Sequence, residues 1–354
     1  MSKPILAAML SCEGLSLTDN EKYLFSKYNP LGISLFTRNI INKEQVKKLI
    51  EEIKNTINRD DVLIAVDQEG GRVSRLQHIS NSKYVSASAL GKNDKIFSKI
   101  HAELISSELS ELGINVNYSP VIDKNIISQS KVLETRCFSD KPKDIVSHAT
   151  TMADAYIDMG ICPCIKHIPG HFSLDKDPHL DIIETNLSYH EIEENIQYLK
   201  NFSHYPMAMT AHIKLNSIDN INPVTTSKNV VTKILREMIN FQGLIISDAI
   251  DMHAIKGSIA QKFNLSIDAG LDAICYCSGK YQDMHSICSE QRFMSEKSLN
   301  RFANIKKIIN NKPRHIDIIK SQTLYRETFQ DCFNENYSYD ATETLHQMQK
   351  KGEA

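Results

Sequence analysis

The chain has 354 residues, 41% hydrophobic and 24% charged, with a formal net charge of −2. That balance is ordinary for a globular protein and excludes bulk electrostatic attraction to nucleic acid or an anionic membrane. No uninterrupted apolar run approaches membrane-spanning length, and the apolar piece at residues 5–10 is too short for a signal-peptide core. The eight cysteines are spread widely. Cys162, Cys164, Cys275 and Cys277 fall inside apolar runs, which predicts buried reduced thiols and a cytoplasmic protein rather than a disulfide framework.

Taken in order, the pattern alternates between strand and helix. Residues 5–10 and 32–36 read as the first two strands. Asn42 with Gln45 has the spacing of an N-cap and its capping-box partner, opening an amphipathic helix to about residue 57. Residues 62–67 form a strand, about 94–112 a helix, and 115–119 a strand ending at Pro120. Asp140, before Lys141-Pro142, opens a helix with proline in its first turn. That helix reaches about residue 159. A strand at 161–166 follows. Ser188 with Glu191 makes a second capping box, for a helix to about residue 202. Residues 207–210 are a strand, and Ser227 caps a helix to about residue 240. Residues 244–247 are a strand, about 260–269 a helix, and 272–277 the last strand. A final helix ends near residue 311, before Pro313.

Eight strands alternating with helices imply parallel βαβ units, and the spacing fits one (β/α)8 TIM barrel over residues 1–312. A doubly wound open sheet is the alternative, but neither a Gly-x-Gly-x-x-Gly after the first strand nor a Walker A sequence supports it. Residues 313–354 read as a polar C-terminal extension, partly helical or mobile.

In a barrel of this kind the functional groups gather just after the strands. The sequence has that pattern repeatedly. Asp67-Gln68-Glu69 follows the third strand, and Asp123 comes after the fourth, with Arg136 further along. Thr210-Ala211-His212 and Ser247-Asp248 follow the sixth and seventh. The densest stretch, Lys166-His167-Ile168-Pro169-Gly170-His171 through Asp181, follows the fifth. Within it Asp177 and His179 are one residue apart, so in an extended loop both side chains can point the same way. An aspartate ending a run such as Leu244-Ile245-Ile246 is costly unless it is used or caps a helix.

Four segments together resemble family 3 glycoside hydrolases of the single-domain β-N-acetylhexosaminidase type. They are Leu35-Phe36-Thr37-Arg38-Asn39, Val66-Asp67-Gln68-Glu69-Gly70-Gly71-Arg72-Val73, Lys166-His167-x-Pro169-Gly170-His171 with Asp177-x-His179-x-Asp181, and Ser247-Asp248-x-x-x-Met252. The resemblance implies a (β/α)8 barrel and a bacterial cytoplasmic enzyme of peptidoglycan recycling. It implies Asp248 as nucleophile and His179 as general acid/base, with Asp177 as its dyad partner. It implies that Asp67, Arg136, Lys166 and His167 hold the non-reducing-end sugar, that Arg75 faces the substrate, and that His212 lines the pocket. His171 belongs to the motif and serves loop structure.

The resemblance further implies a small carbohydrate partner, a GlcNAc-containing muropeptide, with no nucleic acid or membrane partner, and a monomer or weak dimer. No organic cofactor is expected. Neither His-Glu-x-x-His nor a compact ligand spacing supports zinc, so no metal is expected.

The chemistry suits these residue types. A retaining glycosidase needs a carboxylate nucleophile and a second group that donates and then accepts a proton. An imidazole, with an unperturbed pKa of about 6.5, can do both. The chain departs from the resemblance at Phe172-Ser173-Leu174, where relatives usually read Gly-Asp-Thr. It departs again at Ala249-Ile250 after the nucleophile, and at Thr135 before Arg136. A β-N-acetylglucosaminide phosphorylase and a degenerate sugar-binding protein are the competing readings.

Overall fold

The computed structural model describes residues 3–125, 133, 135–172, 183–252 and 254–334. Eight parallel strands close into a barrel in sequence order. They are β1 Leu6–Ser11, β2 Pro30–Leu35, β3 Leu63–Val66, β4 Val116–Asn117, β5 Cys162–Ile168, β6 Met207–Thr210, β7 Leu244–Ala249 and β8 Ala273–Cys275. β8 pairs back onto β1, with Ala8 opposite Ile274, so the sheet has no edge. The (β/α)8 reading therefore holds, and the open-sheet alternative falls.

The strands are apolar on both faces because helices cover them outside and packed side chains fill them inside. Leu63 to Val66 and Leu244 to Ile246 are fully buried. After each strand but the last, helical segments return the chain to the start of the next. They are α1 Asp19–Tyr28, α2 Lys43–Ile57, α3 Ile96–Leu112, α4 Pro142–Asp158 and α5 Tyr189–Ile196. After β6 comes α6, Lys228–Val230, which continues as a π-helix over Val231–Met238. Then come α7 Ile259–Ala269, α8 Tyr281–Ser289 and α9 Glu296–Ile309. Among the described residues no helix is long and apolar enough to cross a membrane. All eight cysteines are free thiols.

Local chemistry sets the helix starts, with some differences from the sequence pattern. The Asn42 side chain accepts from the Gln45 amide at 2.9 Å. Gln45 reaches past Asn42, however, and accepts from the Ile41 amide at 3.0 Å, so no reciprocal box closes. Ser188 and Glu191 do close one. α5 ends earlier than its apolar pattern, and a 3-10 helix over Gln197–Phe202 completes the run. At α4 the cap position is Lys141 rather than Asp140, with Pro142 at the first helical position, where its missing N–H costs nothing. β7 runs on to Ala249, so Asp248 stands on the strand itself and is not a helix cap.

Beyond residue 312 the chain forms α10, Ile318–Phe329, and a short 3-10 turn over Gln330–Asn334. α10 buries Tyr325 and Phe329 against α3.

The bottom of the barrel carries its own ion cluster. Asp272, 2% exposed, accepts from Arg236 at 2.6 Å, Arg301 at 2.7 Å, the Ser298 hydroxyl at 2.7 Å and the Ile245 amide at 2.8 Å. It lies just before β8, at the end opposite the polar mouth. Asp272→Ala leaves two guanidinium groups and a backbone N–H without their acceptor, so stability should fall by about 3 kcal/mol. Urea unfolding measures this. The Michaelis constant at 25 °C should be unchanged, because the site is at the other end.

Candidate active site

The site is built on the end of β5. Its ladder with β6 slips register between Lys166 and Ile168, and such irregularities re-aim side chains at strand ends. The peptide between Lys166 and His167 is cis. Both side chains lie at the mouth, and each turns to a different carboxylate system.

On one side, Lys166 Nζ sits 2.6 Å from Asp67 Oδ1 and 2.6 Å from Glu69 Oε1. Arg136 grips Glu69 with two parallel bonds, Nε to Oε2 at 2.8 Å and a terminal nitrogen to Oε1 at 2.7 Å. An Arg75 nitrogen is 3.6 Å from Asp67 Oδ2. Lys166 is 3% exposed and Glu69 6%, whereas Asp67 is 18% exposed. Asp67 is thus the outermost carboxylate of the group and the one best placed to meet a ligand. Burial pushes the Glu69 carboxyl up, but Arg136 and Lys166 more than reverse this and hold it well below its ordinary range. Burial opposes the Lys166 charge, and Asp67 and Glu69 overcome it, raising its pKa. Glu69, Lys166 and Arg136 are each shifted toward their charged forms.

On the other side, His167 belongs to a fork built on Asp123, which is fully buried. Asp123 Oδ2 accepts from the His167 amide at 3.1 Å and lies 2.8 Å from its Nδ1. Oδ1 accepts from the His171 amide at 2.9 Å and lies 3.1 Å from that ring's Nδ1. A buried carboxylate accepts only, so both Nδ1 atoms carry hydrogen. Burial pushes the His167 pKa down despite Asp123, leaving the ring neutral near pH 7. Its Nε2 is then the lone-pair nitrogen, and it lies 3.7 Å from Asp248 Oδ2.

Asp248 accepts from the Ala249 amide at 2.7 Å, and its side chain is 25% exposed at the mouth. Burial pushes its carboxyl up, but His167, His212, the Ala249 amide and Lys166 pull it further the other way, to about 2. His212 is fixed by Thr225 Oγ1 at 2.7 Å on Nδ1 and by the Ala249 carbonyl at 3.0 Å on Nε2. A carbonyl only accepts, so Nε2 carries the hydrogen. His212 props the strand end beside Asp248.

The structure thus brings together Asp67, Arg75, Arg136, Lys166, His167, His212 and Asp248. His179 and Asp177 lie outside the described residues. Sequence reasoning missed the central roles of Glu69 and Asp123, although both stand in the polar runs after β3 and β4. Arg38, in the first of the four segments, ties the ends of β1 and β8, bonding Ser11 Oγ at 3.0 Å and the Cys277 carbonyl at 2.6 Å.

Asp123, His167 and His171 bring metal-ligating atom types within 4.8 Å of one another. Their Nδ1 hydrogens already face the Asp123 oxygens, so the trio is a hydrogen-bonded fork with its ligand atoms turned on each other rather than toward a shared ion.

An ionised carboxylate at the C-terminal mouth of a (β/α)8 barrel, beside a cluster of paired charges, is the arrangement of a barrel enzyme. The glycosyl hydrolase family 3 N-terminal domain matches residues 6–306, and the chain belongs to that family. It is 31% identical over 290 residues to a β-hexosaminidase from Psychromonas ingrahamii, covering 77% of this chain and 82% of the relative. It is 28% identical over 277 residues to β-hexosaminidase A from Pseudoalteromonas piscicida, and there the match spans less than half, 46%, of the relative's length. Among solved structures it is similar to NagZ from Neisseria gonorrhoeae in complex with N-trifluoroacetyl-D-glucosamine. The TM-score is 0.81 and the identity 25%, covering 92% of this chain and 98% of that one.

Asp123→Asn tests the fork. A carboxamide sets a donating NH2 against one backbone N–H and one imidazole N–H, so one arm must break. Stability should drop by about 2 kcal/mol. Turnover of an aryl β-GlcNAc glycoside should fall by about tenfold or more, as His167 loses its fixed tautomer. Wild-type turnover would mean that the ring orientation is set elsewhere.

Proposed function

We propose that this glycoside hydrolase, a β-N-acetylhexosaminidase, removes non-reducing terminal β-linked GlcNAc from muropeptide fragments by double displacement with retention. One observation carries the reading. Asp248 is an ionised, partly open carboxylate at the mouth, and a wall of paired charges lies within reach of it through Lys166 and His167. Asp248 is the nucleophile and forms the covalent glycosyl-enzyme. His179 protonates the leaving oxygen and then activates the water that releases the sugar, with Asp177 as its dyad partner. Asp67, Arg75, Arg136, Lys166 and His167 hold the sugar, and His212 lines the pocket.

The geometry supports the division of labour. Asp67 has Oδ1 on Lys166 and Oδ2 3.6 Å from Arg75, and its side chain, 18% exposed, is the one of this group most open to sugar hydroxyls. Hydrogen bonds from ionised groups are the stronger kind, and a pre-oriented set needs little rearrangement as charge develops on the sugar ring. Opposite charges in the wall largely cancel, which suits a neutral polyhydroxylated ligand. The eight free thiols support a cytoplasmic setting. The assembly we propose is a monomer or weak dimer.

Asp248→Asn keeps the side chain's size and removes the anionic oxygen. Turnover should fall by several orders of magnitude while sugar binding survives. With the wild type, a 5-fluoro N-acetylhexosaminyl reagent bearing a good leaving group should place one sugar-derived mass on the peptide containing Ser247-Asp248-Ala249. Label on another carboxylate, or an inverted product, would overturn the nucleophile assignment. Running the same turnover in phosphate and looking for sugar 1-phosphate separates hydrolysis from phosphorolysis.

The pH profile gives a second test. Asp248, held at about 2, is ionised across the working range, so it cannot set a limb between about pH 4 and 8. A limb there belongs to an imidazole. His179→Ala should flatten it, and should slow substrates with poor leaving groups far more than activated aryl glycosides. Equal losses on both substrates would remove His179 from the acid role.

A further inference from the structure

The helix beyond the barrel reaches the back of the sugar-holding wall through two side chains. Tyr325 of α10 is 2% exposed, and its Oη lies 2.6 Å from His101 Nδ1 and 3.1 Å from the Val85 amide nitrogen. His101 of α3 is fully buried, and its Nε2 lies 3.0 Å from the Glu69 carbonyl oxygen. The direction of every proton follows from the end groups. The Val85 N–H can only donate, so Tyr325 Oη accepts from it and turns its own hydrogen to His101 Nδ1. The Glu69 carbonyl can only accept, so His101 carries its hydrogen on Nε2. One neutral tautomer satisfies all three contacts. Burial, which pushes the His101 pKa down to about 4, keeps it in that form.

The chain then continues through Glu69 itself. Its backbone is tied to His101, and its carboxylate holds Arg136 and Lys166 at 2.6 to 2.8 Å. The fit behind it is close. A Cβ on Gly70, which has φ +94°, would stand 2.4 Å from the Val85 carbonyl oxygen and 2.7 Å from His101 Cε1. The short hairpin of Gln68–Gly70 with Val73–Ser74 is therefore pressed against the imidazole and has no room to settle differently. Ring contacts fix the other end. Tyr325 packs on Phe329 at 4.9 Å between centroids, and Phe329 meets Phe97 of α3 edge-on at 5.4 Å. A second polar contact, Gln322 Nε2 to Ser82 Oγ at 3.2 Å, pins the same helix to the segment just before Val85.

We propose that α10 is a positioning element of the sugar site: the Tyr325 hydroxyl, acting through His101, holds the Glu69 backbone so that its carboxylate sets Arg136 and Lys166 for the sugar. Tyr325 and His101 touch no substrate. They act on the site only through Glu69, and the inference rests on the sugar-site reading given above.

Tyr325→Phe removes the hydroxyl and keeps the ring. The readout is binding of N-acetylglucosamine to the full chain by calorimetry, with thermal unfolding measured alongside. Losing one buried hydrogen bond in the relay should weaken binding by about fivefold. Phe302→Leu, a core change under the far end of the barrel, controls for general loosening and should leave binding within twofold at an equal loss of melting temperature. Glu69→Gln tests the underlying reading and should weaken binding by at least as much as Tyr325→Phe. Wild-type binding by Tyr325→Phe, with weakened binding by Glu69→Gln, overturns the relay and leaves the sugar site standing. Equal weakening by Phe302→Leu also overturns the relay, because general loosening then accounts for the effect. Wild-type binding by Glu69→Gln overturns the sugar-site reading and the relay with it.

Discussion

The site depends on one junction, the Lys166–His167 pair at the end of β5. Lys166 reaches the carboxylates that follow β3, 2.6 Å from Asp67 and from Glu69. His167 reaches Asp123, which follows β4, and faces Asp248 on β7. Side chains from four strands thus meet through two consecutive residues. In a regular strand those neighbours would point to opposite faces. The register slip at this point is what allows both to serve the mouth. The closed barrel supplies the stiffness. A strand hydrogen-bonded on both sides cannot drift, so distances fixed at its end persist.

Charge is handled in the same way on both sides of the junction. A buried ion is expensive unless it is paired and hydrogen-bonded. Lys166 lies between two carboxylates, Glu69 between Lys166 and Arg136, and Asp123 among four N–H groups. The two ionic groups with appreciable exposure are Asp67 and Asp248. The inner shell is satisfied within the protein, and these two side chains stay partly open. Such a shell needs little reorganisation during reaction, which is the usual source of electrostatic catalysis.

Much of this was legible in the sequence. Parallel strands buried on both faces read as short apolar runs, and all eight could be found that way. The polar residues after them marked the mouth. The partners were not legible, because no local pattern carries them. Glu69 and Arg136 are 67 residues apart, and Asp123 and His167 are 44 apart. A carboxylate beside a glycine pair looks like a turn residue until the strand order is known. Cap details also escaped: the Gln45 amide reached one residue further than its spacing suggested, and Lys141 took the cap position from Asp140. Both differences lie at exposed helix ends, where several geometries satisfy the same donors. The slip at Lys166–His167 has no compositional mark at all, and it is the feature on which the site turns.

Phe172 shows how the scaffold constrains sequence just past this junction. Its φ is +52°, a left-handed conformation that glycine adopts freely and a bulky side chain does not. The phenylalanine keeps the glycine-like backbone and buries its ring to 8% exposure against the core. The backbone preference amounts to about 1–2 kcal/mol, and burying an aromatic ring returns about as much. The two are close enough to offset, so phenylalanine can hold this turn. The same turn places the His171 amide 2.9 Å from Asp123. The Asp123 fork and the buried Phe172 ring therefore act on adjacent residues, and together they fix the chain over residues 167–172.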